Sequence, residues 1–135
     1  MVQAPLSLSP GAAPASREGR RAIKLVTYVL RPEKLDAVLS ALHQLDLAGG
    51  ITVVDVRGFG RQKGLEGHFM GGAYTIRFIP KARVDLAVPE ESVPAVMDAV
   101  RRAAHTGHIG DGKVFVVDVS AAQRIRTKEG GIDAL

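Results

Sequence analysis

Eight residues, Thr106-Gly107-His108-Ile109-Gly110-Asp111-Gly112-Lys113, hold the densest potential chemistry in the chain. Three glycines surround one carboxylate and lead into a lysine. Glycine loses more freedom on folding than any other residue, so a cluster of it needs a reason. A glycine-rich backbone can close on an anion with its N–H groups turned inward, and Lys113 would add a point charge. The spacing is not that of a Walker A loop. Val114 follows the lysine where Ser or Thr is required, and a helical pattern precedes the glycines instead of following them. The same residues also fit a helix C-cap at Gly107 followed by an Asp111-Gly112 hairpin turn.

The elements that must position this stretch follow from hydrophobic period. Ile23 to Leu30 is rich in β-branched and apolar residues and reads as a first strand. Arg31-Pro32 stops it, and Pro32 suits the first turn of a helix. Leu35, Val38, Leu39, Leu42 and Leu45 then fall at helical spacing, predicting a helix to about Leu47 that Gly49-Gly50 ends. Ile51 to Arg57 reads as the second strand. From Gly58 to about Gly72 there is no apolar period, which predicts a long loop of the kind that carries function. The third strand is expected over Val84, Leu86 and Val88, after an interruption at Pro80-Lys81 and an extension over residues 73–79. Pro89 to Ser92 opens a second helix with Val93, Val96, Met97 and Val100 on one face. Val114 to Val119 is the fourth strand.

The order β-α-β-β-α-β, with two helical crossovers, predicts an α+β, ferredoxin-like fold with both helices on one face of a four-stranded antiparallel sheet. The uncovered face and edges predict an oligomer. Residues 1–21, rich in Pro, Gly, Ala and Ser, read as a disordered N-terminal extension, with an Arg/Ser-rich organelle address as the alternative. Residues 22–127 form the domain, and residues 128–135 read as a flexible tail.

Composition excludes several function classes. There is no cysteine, which removes disulfide scaffolds and thiol catalysis and fits a reducing, cytoplasmic setting. No apolar run is long enough to span a membrane. The net charge is +4, and residues 1–21 supply half of it, so the domain is too weakly basic to predict nucleic-acid binding. With no tryptophan and few aromatics there is no base-stacking platform. Nor is a Ser/His/Asp set, a carboxylate pair or a metal-spaced His cluster visible. The histidines at 43, 68, 105 and 108 are scattered, so the chain does not read as an enzyme.

Four segments in their order resemble the PII nitrogen-regulatory signalling proteins. They are Pro32-Glu33-Lys34-Leu35; Val56-Arg57-Gly58-Phe59-Gly60-Arg61-Gln62-Lys63-Gly64; Tyr74 through Phe78-Ile79-Pro80-Lys81; and Thr106 through Lys113, followed by Val114-Phe115-Val116 and Arg124-Ile125-Arg126-Thr127. The likeness runs from Ala22 to Thr127. It implies a homotrimer whose intersubunit clefts bind ATP or ADP, joined by 2-oxoglutarate when Mg-ATP is present. It also implies a T-loop between the second and third strands that docks onto protein targets such as an ammonium channel or a nitrogen-assimilation enzyme.

Carried onto this sequence, the resemblance gives each residue an expected role. Gly110, Asp111, Gly112 and Lys113 would wrap the nucleotide phosphates, with Lys113 the main counter-charge. A carboxylate beside phosphate is awkward, so Asp111 is expected to hold the turn by accepting backbone N–H groups. Arg124 and Arg126, alternating on an extended segment, would both reach phosphate oxygens; a solvated basic pair is the plain alternative. Gly58, Gly60, Arg61 and Gln62 would close the other side, and the Gln62 amide oxygen could complete a Mg²⁺ octahedron. Thr52 would bond the adenine or ribose end. Lys81, with Gln62, would meet 2-oxoglutarate. Tyr74 falls at the family's uridylylated or adenylylated tyrosine. His108 stands where the family usually has lysine, and an imidazole attracts phosphate less at neutral pH. The 69–73 stretch also departs from the family. These two departures motivate an alternative: a divergent regulator that binds nucleotide, ignores 2-oxoglutarate and serves another transporter or enzyme.

Overall fold

The computed structural model describes residues 21–47, 49–59 and 78–135. β1 (Ile23–Leu30) leads through a 3-10 turn (Pro32–Lys34) into α1 (Leu35–His43), then β2 (Ile51–Gly58). Next among the described residues come β3 (Ile79–Pro89), a 3-10 turn (Glu90–Ser92), α2 (Val93–Ala104) and β4 (Gly112–Val119). The sheet order is β2-β3-β1-β4 and every neighbouring pair is antiparallel. This is the expected ferredoxin-like βαββαβ arrangement.

Directly paired residues in antiparallel strands share a face. Val26, Tyr28 and Leu30 of β1 therefore face the same way as Leu86, Val84 and Ala82 of β3, and all six are buried. Val38 and Leu42 of α1 and Val96, Val100 and Ala104 of α2 join them in one core. The opposite face carries Val54, Phe115 and Val117, which are 45%, 53% and 51% exposed. That face also holds Thr27, whose hydroxyl donates to Asp85 at 2.8 Å.

The boundaries differ from expectation at four places, each with a local cause. α1 ends at His43, not near Leu47. Leu45 N–H bonds back only three residues, to Leu42, and Asp46 turns left-handed at φ 49°, which stops the helix. β3 runs straight through Pro80, where an interruption was expected. β1 pairs with β3 only as far as Ala82, so at Pro80 the strand has a partner on one side, Arg57 of β2. A proline there costs no ladder bond on the free side. β4 begins at Gly112, two residues early, because Gly112 pairs with Leu30. Residues 128–135, expected as a loose end, carry a 3-10 turn (Gly131–Ala134).

Buried polar atoms test the packing. Among the described residues the Tyr28 hydroxyl finds no hydrogen-bond partner, and burial pushes its pKa well above 10.0. Tyr28→Phe should therefore raise stability, by about 1 kcal/mol, because it removes an uncompensated polar group. Leu42→Ala, at a fully buried helix position, should lower it by about 2–5 kcal/mol. Urea unfolding of both variants checks the pair; a destabilised Tyr28→Phe would show that the hydroxyl is satisfied.

Candidate functional site

The glycine stretch is built inward from one carboxylate. α2 stops at Ala104, and His105 is already extended (φ −67°, ψ 128°), so the helix is capped before Gly107 and the expected C-cap glycine is not one. Asp111 Oδ2 accepts the N–H of Thr106 at 2.9 Å and of Gly107 at 3.0 Å. Its Oδ1 accepts the Thr106 hydroxyl and Arg31 Nε, the latter at 3.1 Å. Asp111 thus holds the turn as expected. The Thr106 hydroxyl first, then the Thr106 and Gly107 amides and Arg31, hold its carboxyl far below the usual carboxylate range.

Two cations fix the next two carbonyls. Arg31 Nη2 donates to Ile109 O at 2.7 Å, and Lys81 Nζ donates to Gly110 O at 2.6 Å. In a trans peptide the C=O and the following N–H point opposite ways. With these carbonyls tied to Arg31 and Lys81, the Gly110 N–H points away from Arg31 and the Asp111 N–H away from Lys81. Burial, then the nearby Arg31 charge, pull the Lys81 ammonium below its ordinary pKa. Arg31 was not among the expected site residues. In sequence it only ends β1, and its partner Asp111 lies 80 positions away.

Gly112 follows at φ 103°, and a Cβ there would lie 1.8 Å from Val29 O. Only glycine permits that approach. Lys113 is next, opposite Val29, and among the described residues its ammonium takes part in no hydrogen bond or ion pair recorded for the chain. Beside it a groove of about 520 Å³ runs between α2 and the β1–β4 pair. That is within the range of small-ligand sites.

Other expected site residues are not gathered here. Thr52 and Gly58 lie on β2, at the opposite edge of the sheet from β4. Three strand spacings separate those edges, about 14 Å. Arg124 and Arg126 do not alternate on an extended segment. Lys128 N–H bonds to Arg124 O at 2.8 Å and closes residues 124–128 into a turn, with Lys128 at φ 63°. The Arg124 guanidinium donates to Leu135 O at 2.7 Å. Gly60, Arg61, Gln62 and Tyr74 lie outside the described residues. Among the described residues no group of three or more His, Cys, Asp or Glu side chains could hold a metal ion, and no helix is long and apolar enough to cross a membrane.

A ferredoxin-like sheet with a cation-braced glycine loop at one edge defines a candidate anion-binding regulatory domain. The comparisons are specific. The family model described as Nitrogen regulatory protein P-II matches residues 23–129. The chain is 44% identical over 113 residues to the Nitrogen regulatory protein P-II of Bradyrhizobium diazoefficiens, and 43% identical over 113 residues to the Nitrogen regulatory protein GlnK of Escherichia coli (strain K12). Each alignment covers 84% of this chain and all of the relative. A crystal structure of Arabidopsis thaliana PII bound to citrate superposes with a TM-score of 0.69 at 34% identity, covering 84% of this chain and 92% of that one. The chain belongs to the P-II family of nitrogen regulatory proteins.

The Asp111 geometry sets a pH dependence. A carboxyl whose folded pKa is depressed contributes stability that is complete above its unfolded pKa, near 4, and is lost as pH falls toward the folded value. Asp111→Asn should therefore be less stable than the parent at pH 7, with the gap closing below about pH 4. Urea unfolding across that range measures it; a gap independent of pH would mean that the charge of Asp111 is not what matters.

Proposed function

We propose that this protein is a PII-type signal transduction protein that senses ATP or ADP together with 2-oxoglutarate and regulates nitrogen-metabolism targets through the 59–78 loop. The observation that carries the reading is the braced glycine loop, its Ile109 and Gly110 carbonyls held by Arg31 and Lys81, beside the uncommitted ammonium of Lys113. Gly110, Asp111, Gly112 and Lys113 would hold the nucleotide phosphates, the backbone by its N–H groups and Lys113 by charge. Arg124 and Arg126 would add to this, and Gly60, Arg61 and Gln62 would close from the long loop. Gln62 would supply one oxygen to Mg²⁺ held mainly by phosphates. Lys81 and Gln62 would take the carboxylates of 2-oxoglutarate. The citrate-bound PII relative is a precedent for a small polycarboxylate on this fold.

The reading requires more than one chain. Thr52 and Gly58 sit on one sheet edge and Gly110–Lys113 on the other, so a cleft using all of them takes β2 from a neighbouring copy. The exposed apolar face of Val54, Phe115 and Val117 supports the same conclusion, since burying it offsets the cost of association. A homotrimer, cytoplasmic and without nucleic acid or membrane insertion, satisfies both. Such a protein acts without turnover: ligands shift the loop only as far as they prefer one of its states. Targets of the ammonium-channel or nitrogen-assimilation-enzyme kind would read that state, and Tyr74 is the candidate modification site.

Calorimetry tests it directly. 2-Oxoglutarate should bind more tightly with Mg-ATP present than without, and Lys113→Ala should weaken ATP by about tenfold or more. ATP binding with no 2-oxoglutarate response in either condition would instead favour the nucleotide-only regulator, to which His108 and the pre-occupied Lys81 point. No binding of adenine nucleotide at millimolar concentration would overturn both.

A further inference from the structure

The segment after β4 folds back on itself and holds one of the proposed phosphate ligands. Gly131 N–H bonds to Ala122 O at 3.1 Å, Arg124 N–H to Glu129 O at 2.8 Å, and Gln123 pairs with Gly130 in an isolated bridge. The 3-10 turn Gly131–Ala134 then brings the main-chain oxygen of Leu135 to within 2.7 Å of Arg124 Nη2. Nothing in this turn is buried, so the contact is not a by-product of core packing. Three features specify the fold-back: the backbone bonds, the left-handed Lys128 and the left-handed Gly131 at φ 62°.

We propose that residues 128–135 form an internal competitor for Arg124, so that nucleotide binding and release of this segment are coupled. The inference rests on the nucleotide reading above and concerns how that site is regulated. A guanidinium offers a phosphate two parallel donor pairs, Nε with Nη2 or Nη1 with Nη2. Each pair uses one of the two Nη2 hydrogens, so a main-chain oxygen on Nη2 competes with one of the two bidentate modes. The main-chain oxygen offers a single acceptor and a phosphate offers the guanidinium a bidentate pair, so the phosphate wins at sufficient concentration. The carbonyl has the advantage of being intramolecular, eleven residues away on a folded loop. The apparent nucleotide affinity is then the intrinsic affinity reduced by the fraction of chains in which Arg124 is free. The segment consequently sets the ATP concentration at which the site fills. By the same linkage, anything that captures residues 131–135 raises nucleotide affinity.

Gly131→Pro opens the fold-back within the full chain. Proline removes the N–H that bonds to Ala122 and fixes φ near −65°, against the observed 62°. ATP with Mg²⁺ is titrated calorimetrically into the parent, Gly131→Pro, Arg124→Met and the double variant. The expected result is roughly three- to tenfold tighter ATP binding by Gly131→Pro, the factor that corresponds to one hydrogen bond. Arg124→Met should weaken binding, and in its background Gly131→Pro should have no effect. If Arg124→Met weakens ATP binding but Gly131→Pro does not tighten it, the competitor is refuted and the nucleotide site stands. If none of the four proteins binds ATP, the nucleotide reading itself falls. Amide hydrogen exchange gives a readout that needs no variant: saturating ATP should speed exchange at Gly131, and unchanged or greater protection there would also overturn the proposal.

Discussion

One buried-side carboxylate organises the functional end of this molecule. Asp111 takes four donors from three residues: Thr106 twice, Gly107 and Arg31. A carboxylate so engaged has spent its charge internally. An acid in a glycine-rich loop is thereby compatible with an anion nearby. Were Asp111 turned outward, it would repel a phosphate; turned inward, it converts its charge into loop geometry. The same turn presents the two carbonyls just before Asp111, Ile109 O and Gly110 O, to Arg31 and Lys81.

The second constraint is topological. The order β2-β3-β1-β4 places the first and last crossover strands at opposite edges. A glycine loop that leads into β4 therefore cannot share a cleft with β2 of its own chain at mid-strand. Thr52 pairs with Asp85 of β3, and Asp85 already engages Thr27 and Arg83 on the open face. Any small molecule spanning both sets of residues has to lie between copies. A ligand that used both sets would join copies of the chain, and burying the exposed apolar face would favour that association.

How much of this the sequence carries depends on range. β1, β2 and α2 read correctly because hydrophobic period is local, and β1 and α2 bury one regular face. The Asp111 turn also read correctly, because Asx chemistry operates over a few residues. Pro80 misled, since its tolerance depends on where β1 stops pairing, which is a tertiary fact. Arg124 and Arg126 misled for a similar reason. Their alternation suggested a strand, but no neighbouring strand is there to pair, and backbone bonds within residues 122–131 fold the segment into a turn. Arg31 stayed invisible because its role is defined by a loop 80 residues away. Composition at the end of the chain suggested a loose segment, whereas backbone bonds, left-handed Lys128 and Gly131 and the Arg124 contact give it a defined path.

The position of Lys81 has a consequence for communication. Its ammonium braces Gly110, and it lies two residues from Ile79, which pairs with Gly58 at the stem of the 60–77 segment. A cation held by a carbonyl with its pKa pulled down by burial and by Arg31 is poised, not saturated: an anionic partner would relieve both effects. A carboxylate that took Lys81 would share the ammonium with Gly110 O or displace it, and displacement would free the Gly110 carbonyl. Where that alters binding at the glycine stretch, reciprocity requires that whatever settles there changes the affinity at Lys81 by the same factor. The coupling needs no long pathway. One lysine, one carbonyl and one peptide plane connect β3 to the glycine stretch before β4.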